Sequence, residues 1–561
     1  MRVLRSQMVA VVLLLCISGV ALQAADDSRA KSPQESEAAA KTNEIADRIF
    51  YREAKFVQDL KPYTPVVETY IQNFKANDEL GQVPTSDKYF IGRLVMDKGI
   101  EDISFQQHTK SPGTAILEKL DGFYKMNYVA LGFMQMVYIY GFDKSNYDLT
   151  YLHQEFLGDV RTLVFDVSPK PKVKGPHFEG RIWVEDQDYT IVRFNGTYIP
   201  QRMMNFFFHF DSWRLNIRPG TWLPAFIYTE ESDARYALFR KLAMRSQTRL
   251  WGYSLKLPVD TDEFTAIQID PASNVSDQTA TANEIVPVES THDWQREAED
   301  DVLDRLQRAG LLAPEGDVSK VLETVINNIE ITNKLDIQPE IRARVLLTTP
   351  LESFTVGHTI VVSRGLLDVL PDEASLAMVL AHELAHIALG HSLDTKYAFG
   401  DRMVFPDEQT FERIQLAHSS QEEEAANRKA MEFLQNSPYK DKLATAGLFL
   451  RSLEAHSKEL SSLITPQFGS RMAKGNNVLF MSALLQSAPA LQPDNVTQLA
   501  ALPLGSRIKL DPWDDTVELN KSKAVALLSA RDKMAFQVTP MIPHLARYSG
   551  PEIANAAASG K

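Results

Sequence analysis

The sequence predicts an α+β protein, with an antiparallel β-rich N-terminal domain followed by a mainly helical one. Three observations carry that reading. Apolar and polar residues alternate through much of the first half, they return to helical intervals after about residue 293, and 561 residues are too many for one ordinary core. With 44% hydrophobic and 24% charged residues the composition is that of a globular chain. A formal net charge of -14 argues against general nucleic-acid binding, which needs a basic surface to neutralise phosphates.

Residues 1–25 read as a secretory signal peptide. Arg2 and Arg5 precede an apolar run from Met8 to Ile17 and the small-residue tail "SGVALQAADDS", with Ala21 or Ala24 as the last residue of the leader. The apolar run is short for a membrane span, and an uncleaved N-terminal anchor is the alternative. The single cysteine, Cys16, lies inside this segment and follows Leu13-Leu14-Leu15, which is not a lipid-attachment context. The mature chain is expected to be exported, periplasmic or secreted. It then has no thiol, so any zinc site must draw on His, Asp or Glu.

Residues 26–89 read as a disordered start and short helices. Residues 26–41 are charged and alanine-rich; Ile45, Ile49, Phe50, Val57, Leu60, Val67, Tyr70 and Ile71 then recur at helical intervals, broken by Pro62 and Pro65. Residues 90–265 read as the β-rich domain. "RTLVFDVSP", "FEGRIWVEDQDYTIVRFNGTYI", "MNFFFHFDSWRLNI" and "WLPAFIYTEES" alternate and are rich in β-branched and aromatic types, with "EDQD" as a hairpin turn. Their strand-turn pattern resembles the open half-barrel of periplasmic lipoprotein carriers. That likeness implies contact with an envelope protein or a lipid. Residues 266–292 are polar and small, a linker by composition. Residues 293–460 form the candidate catalytic domain, and 461–561 a C-terminal helical region.

The chemistry concentrates in "VLAHELAHIALGH". Pro371, Asp372 and Glu373 suit a first helical turn, Leu376, Val379, Leu380, Leu384 and Ile387 recur on one face, and Gly390 marks a stop. His382 and His386 stand one turn apart on the same side of that helix, at the spacing that lets two imidazoles share a cation. Glu383 lies one residue round, where a carboxylate can serve a water at the open coordination position. No histidine follows at the extended spacing, since positions 389 and 392 are Leu and Ser. His391 reads as a group supporting the ligands or capping the helix. A carboxylate from a later helix is the other solution for a third ligand, and "AHSSQEEEAANRKAMEFL" offers Glu422, Glu423 and Glu424.

"SFTVGHTIVVSRGLLDVLPDEASLAMVLAHELAHIALGH" resembles the core of the M48 zinc metallopeptidases, and the resemblance covers about 300–460. It implies a zincin-like metallopeptidase domain binding one Zn2+ per chain. In that family a second helix carries E-x-x-x-D, often after a Ser four residues before the Glu. Ser419, Glu423, Ala426 and Ala430 fit the register, so the resemblance implies Glu423 as third ligand with His382 and His386, and Glu383 as the catalytic base. Two departures follow. The family Asp, which orients a ligand histidine, is Asn427 here, which keeps the shape and loses the charge. The family H-P before R-I-x-x-L is also missing. Arg507 in "ALPLGSRIKL" is left as a candidate for oxyanion stabilisation or as a salt-bridged structural arginine.

The expected activity is hydrolysis of peptide bonds in polypeptide substrates, misfolded or envelope proteins among them, as a zinc metalloendopeptidase. The alternative is a weakly active or inactive chaperone or assembly scaffold that retains zinc. The strand Thr359 to Val362 is expected to be the edge on which a substrate pairs, with His358 beside it as a substrate contact or a polar turn residue.

Overall fold

The computed structural model describes residues 33–77, 81–95, 101–104, 136–171, 173–199, 209–237, 240–253, 287–392, 416, 418–456, 480–489, 508–511, 516–519 and 545–548. The expected signal peptide, Arg507 and the stretch from Ser522 to Leu528 lie outside them.

Helix α1 (Pro33–Asp59) is followed by ten strands: β1 (Val66–Asn77), β2 (Gly81–Val95), β3 (Glu101–Ser104), β4 (Tyr147–Leu157), β5 (Val160–Pro169), β6 (His177–Glu185), β7 (Ile191–Ile199), β8 (His209–Arg218), β9 (Thr221–Ala237) and β10 (Arg240–Trp251). They make one sheet in the order β3-β2-β1-β10-β9-β8-β7-β6-β5-β4, antiparallel at every pairing. The strand period of two sorts the side chains. Phe178, Phe194 and Phe210 face a core shared with Ile49, Phe50 and Phe56 of α1, while Trp183, Trp213, Trp222 and Phe226 face the other side. Leu545 returns from the far end of the chain to bury itself among those tryptophans, and its carbonyl accepts from Asp159 N at 2.8 Å.

Two sequence expectations need correction here. Helical spacing over 42–75 holds only to Asp59, in one helix that begins at Pro33, inside the stretch expected to be disordered. Val66–Asn77 is strand β1, so the sheet begins well before residue 90. Val66, Val67, Tyr70 and Ile71 are all buried because β1 is covered on both faces, which erases the alternation that marks a half-exposed strand.

The second half begins with α2 (Pro287–Arg308), which takes over the last residues of the expected linker, and α3 (Asp317–Asn333). Strands β11 (Arg342–Leu346), β12 (Ser353–Val356) and β13 (Thr359–Ser363) form a small sheet in the order β11-β13-β12. Helices α4 (Arg364–Val369), α5 (Glu373–Ala388), α6 (Ser420–Gln435), α7 (Leu443–His456) and α8 (Ser482–Ser487) complete it. A hairpin, β14 (Ile508–Asp511) with β15 (Thr516–Leu519), lies in the region expected to be helical. Strand β13 is central, parallel to β11 and antiparallel to β12. Thr359 to Val362 therefore cannot offer a free edge to a substrate; the edge positions among the described residues belong to β11 and β12.

The two halves are packed together. Val66 and Ile91 of the large sheet share a core with Ala298, Val302 and Leu306 of α2 and with Phe354 and Val356 of β12. Beside it, Glu68 of β1 accepts hydrogen bonds from Thr349 N (2.6 Å), Thr349 Oγ1 (2.8 Å) and Tyr89 Oη (2.8 Å), and Arg249 of β10 donates to Thr349 Oγ1 (2.6 Å). Gly365 is required at the start of α4, since a Cβ there would meet the Thr349 carbonyl oxygen at 1.7 Å.

Candidate metal centre

Helix α5 is the central element of the second half. Asp372 caps it, accepting from Ser375 N at 2.8 Å, and residues 377–386 are all buried. A helix apolar around its whole circumference belongs inside a domain. The two histidines and the glutamate it carries are therefore fully buried polar groups, and their partners must be found.

His382 and His386 face each other with Nε2 atoms 3.1 Å apart. Helix α6 supplies the third group. Ala426 and Ala430, both fully buried, lie on the face of α6 that also carries Glu423, and such small side chains permit close approach to α5. Glu423 Oε2 comes to 3.4 Å from His382 Nε2, and Oε1 to 4.0 Å from His386 Nε2. The three ligand atoms lie within 4.8 Å of one another. A tetrahedral ion with bonds of about 2.0–2.1 Å sets its ligand atoms roughly 3.3 Å apart, so this donor set fits a divalent ion with two nitrogens and a carboxylate. The neighbouring glutamates point elsewhere. Glu422 closes a capping box with Ser419, and Glu424 lies near Arg428 at 3.6 Å on an exposed surface.

The groups behind the ligands are arranged unequally. Gly390, at φ +70°, ends α5 in a Schellman turn: His391 N donates to His386 O (3.0 Å) and Gly390 N to Ile387 O (2.9 Å). That turn brings His391 Nδ1 to 3.0 Å from His386 Nδ1. With His386 Nδ1–H donating to it, His386 keeps its Nε2 lone pair for a cation. His382 has no such support, because its buried Nδ1 has no hydrogen-bond partner among the described residues. Asn427 Oδ1 accepts from Met481 N at 2.8 Å, fixing the turn whose Phe480 ring lies 4.4 Å from the His382 ring. His358 sits at the β12–β13 turn, where its carbonyl accepts from Arg342 N; burial, and then Arg296, hold its imidazole below the ordinary value.

Three neighbours were not singled out by the sequence reading. His418 stacks on His386 with ring centroids 3.9 Å apart at 19°. Ser353 Oγ donates to Glu383 Oε1 at 2.7 Å, and Thr355 Oγ1 to Glu383 Oε2 at 2.9 Å. The signal for the last two is the polar–apolar–polar order Ser353-Phe354-Thr355, which puts both hydroxyls on one face of a strand.

Comparison with known families decides what this geometry belongs to: residues 313–492 match peptidase family M48. The chain carries an M48 metallopeptidase domain. The match takes in the small sheet, α5, α6 and all three converging side chains. No curated protein matches the chain. Among solved structures, a LolA superfamily protein from Nitrosomonas europaea matches over 38% of this chain and 94% of that one, at 12% identity and a TM-score of 0.17. A likeness that slight carries no argument about the large sheet. No helix among the described residues is long and apolar enough to cross a membrane.

Proposed function

We propose that this M48 domain is a zinc-dependent endopeptidase acting on polypeptides outside the cytoplasm. The observation that carries the reading is the convergence of His382, His386 and Glu423 on one point beside a buried Glu383. Two imidazoles and a carboxylate, with no thiolate, would leave a fourth position for water, which is the donor pattern of catalytic rather than structural zinc. A bound zinc ion supplies the Lewis acidity that makes a water nucleophilic at neutral pH. His382, His386 and Glu423 would hold the ion, and His391 would fix the His386 tautomer. Glu383 takes the proton from the attacking water on a carboxylate oxygen and returns it to the departing amine nitrogen.

Export rests on the Arg2/Arg5 and apolar pattern of the first 25 residues, and an envelope or misfolded-protein substrate follows from that location. Contact of the large sheet with an envelope protein or lipid is a further part of the proposal. A second reading, a zinc-retaining assembly scaffold with little turnover, draws on His382 Nδ1, which has no acceptor among the described residues of the kind that usually orients a ligand histidine.

Casein hydrolysis with and without a chelator, beside a Glu383→Gln variant, separates them. The peptidase reading expects chelator-sensitive cleavage, and a fall of about 10²–10⁴-fold in Glu383→Gln with its zinc retained. Cleavage by Glu383→Gln at the wild-type rate would contradict it. Zinc-replete protein that leaves casein intact would favour the scaffold.

A further inference from the structure

The geometry points to Ser353 and Thr355 as positioning residues that clamp the carboxylate of Glu383; this rests on Glu383 being the base. Both hydroxyls project from β12 two residues apart, and therefore from the same face of the strand. One reaches each carboxylate oxygen, Ser353 Oγ to Oε1 at 2.7 Å and Thr355 Oγ1 to Oε2 at 2.9 Å. All three residues are buried, Glu383 completely and Thr355 at 4% exposure, so each of these short contacts counts for more than at a surface.

Holding both oxygens fixes the plane of the carboxylate as well as its position, which a single hydrogen bond does not do. The clamp itself stands on a held strand. β12 is paired along β13, Phe354 is packed under α2, and Thr349, just upstream, is bound by Glu68 of the large sheet. A base displaced by about 1 Å can lose on the order of 10²-fold in rate. Ser353 and Thr355 are therefore assigned to turnover and not to metal binding or to substrate affinity.

The test measures kcat, KM and zinc content for Ser353→Ala, Thr355→Val and Thr355→Ser in the full chain, beside Glu383→Gln. Thr355→Val keeps the shape and removes the hydroxyl; Thr355→Ser keeps the hydroxyl. The clamp predicts that Ser353→Ala and Thr355→Val each lower kcat about 10-fold or more with KM and zinc unchanged, whereas Thr355→Ser stays near wild type. In metal-stripped protein, the shifts in thermal midpoint caused by Thr355→Val and Glu383→Gln should be non-additive. An unchanged or raised kcat in Ser353→Ala and Thr355→Val overturns the clamp, as does an equal fall in Thr355→Ser or additive midpoint shifts. If Glu383→Gln itself turns over like wild type, the base assignment falls, and the clamp falls with it.

Discussion

Two buried charged clusters in this chain solve opposite problems. Within the large sheet, Arg214 meets Glu53 of α1 through hydrogen bonds of 2.6 and 2.8 Å, and the guanidinium also donates to the Ile191 carbonyl and lies over Phe56. Opposite charges face each other there, and the cluster is closed. In the M48 domain, two imidazole nitrogens and a carboxylate face one another around a shared point, all of them able to act as acceptors. A cation bound between them would satisfy all three at once. The first cluster ties a helix to a sheet, and the second has the donor set proposed to bind an ion.

Removing one side of the closed pair should have the largest effect on stability. Arg214→Met leaves Glu53 buried with its partner gone, and is expected to destabilise the sheet by about 3–5 kcal/mol while the folded fraction keeps its zinc. Urea unfolding followed by tryptophan fluorescence reads this, and a change under about 1 kcal/mol would place the pair with exposed ones. The open cluster should answer in affinity instead. Glu423→Gln is expected to weaken zinc binding beyond the roughly 10–100-fold seen when a group that merely supports a ligand is lost. Glu422→Gln and Glu424→Gln, whose carboxylates point away, should change it little. Competition with a chromogenic chelator gives all three values, and equal effects would make α6 only a solvated face.

Smaller shifts sharpen the contrast. Asn427→Asp restores the charge that the family pattern carries there and should tighten zinc by up to about 10-fold; no change would show that Asn427 serves only Met481 and its turn. His358 lies outside both clusters. Burial and Arg296 lower its folded pKa below the ordinary 6.5, so its contribution to stability is present above 6.5 and is lost as pH falls through the lowered value. His358→Gln should therefore flatten the fall in stability on acidification below 6.5 in the metal-free chain. An unaltered slope would assign that fall to other groups.

How much of this could be read from the sequence depended on how local the signal was. His382, Glu383 and His386 occupy one helix and were legible as a group, whereas the choice of Glu423 over Glu422 and Glu424 came from the register of the M48 resemblance at Ser419, Ala426 and Ala430. The strand identity of Val66–Asn77 was not legible, because burial on both faces removes the period of two. Strand order was also hidden. Nothing in Thr359–Ser363 tells that β11 pairs with it in parallel and displaces it from the edge. Ser353 and Thr355 read as ordinary polar positions until β12 is seen against α5.

The proposed activity needs one ion held by His382, His386 and Glu423, and zinc stoichiometry of the purified chain tests that requirement most directly. Wild type and Glu383→Gln should each carry one zinc per chain, and His386→Ala should be metal-poor while remaining folded. Full zinc occupancy in folded His386→Ala would contradict the site.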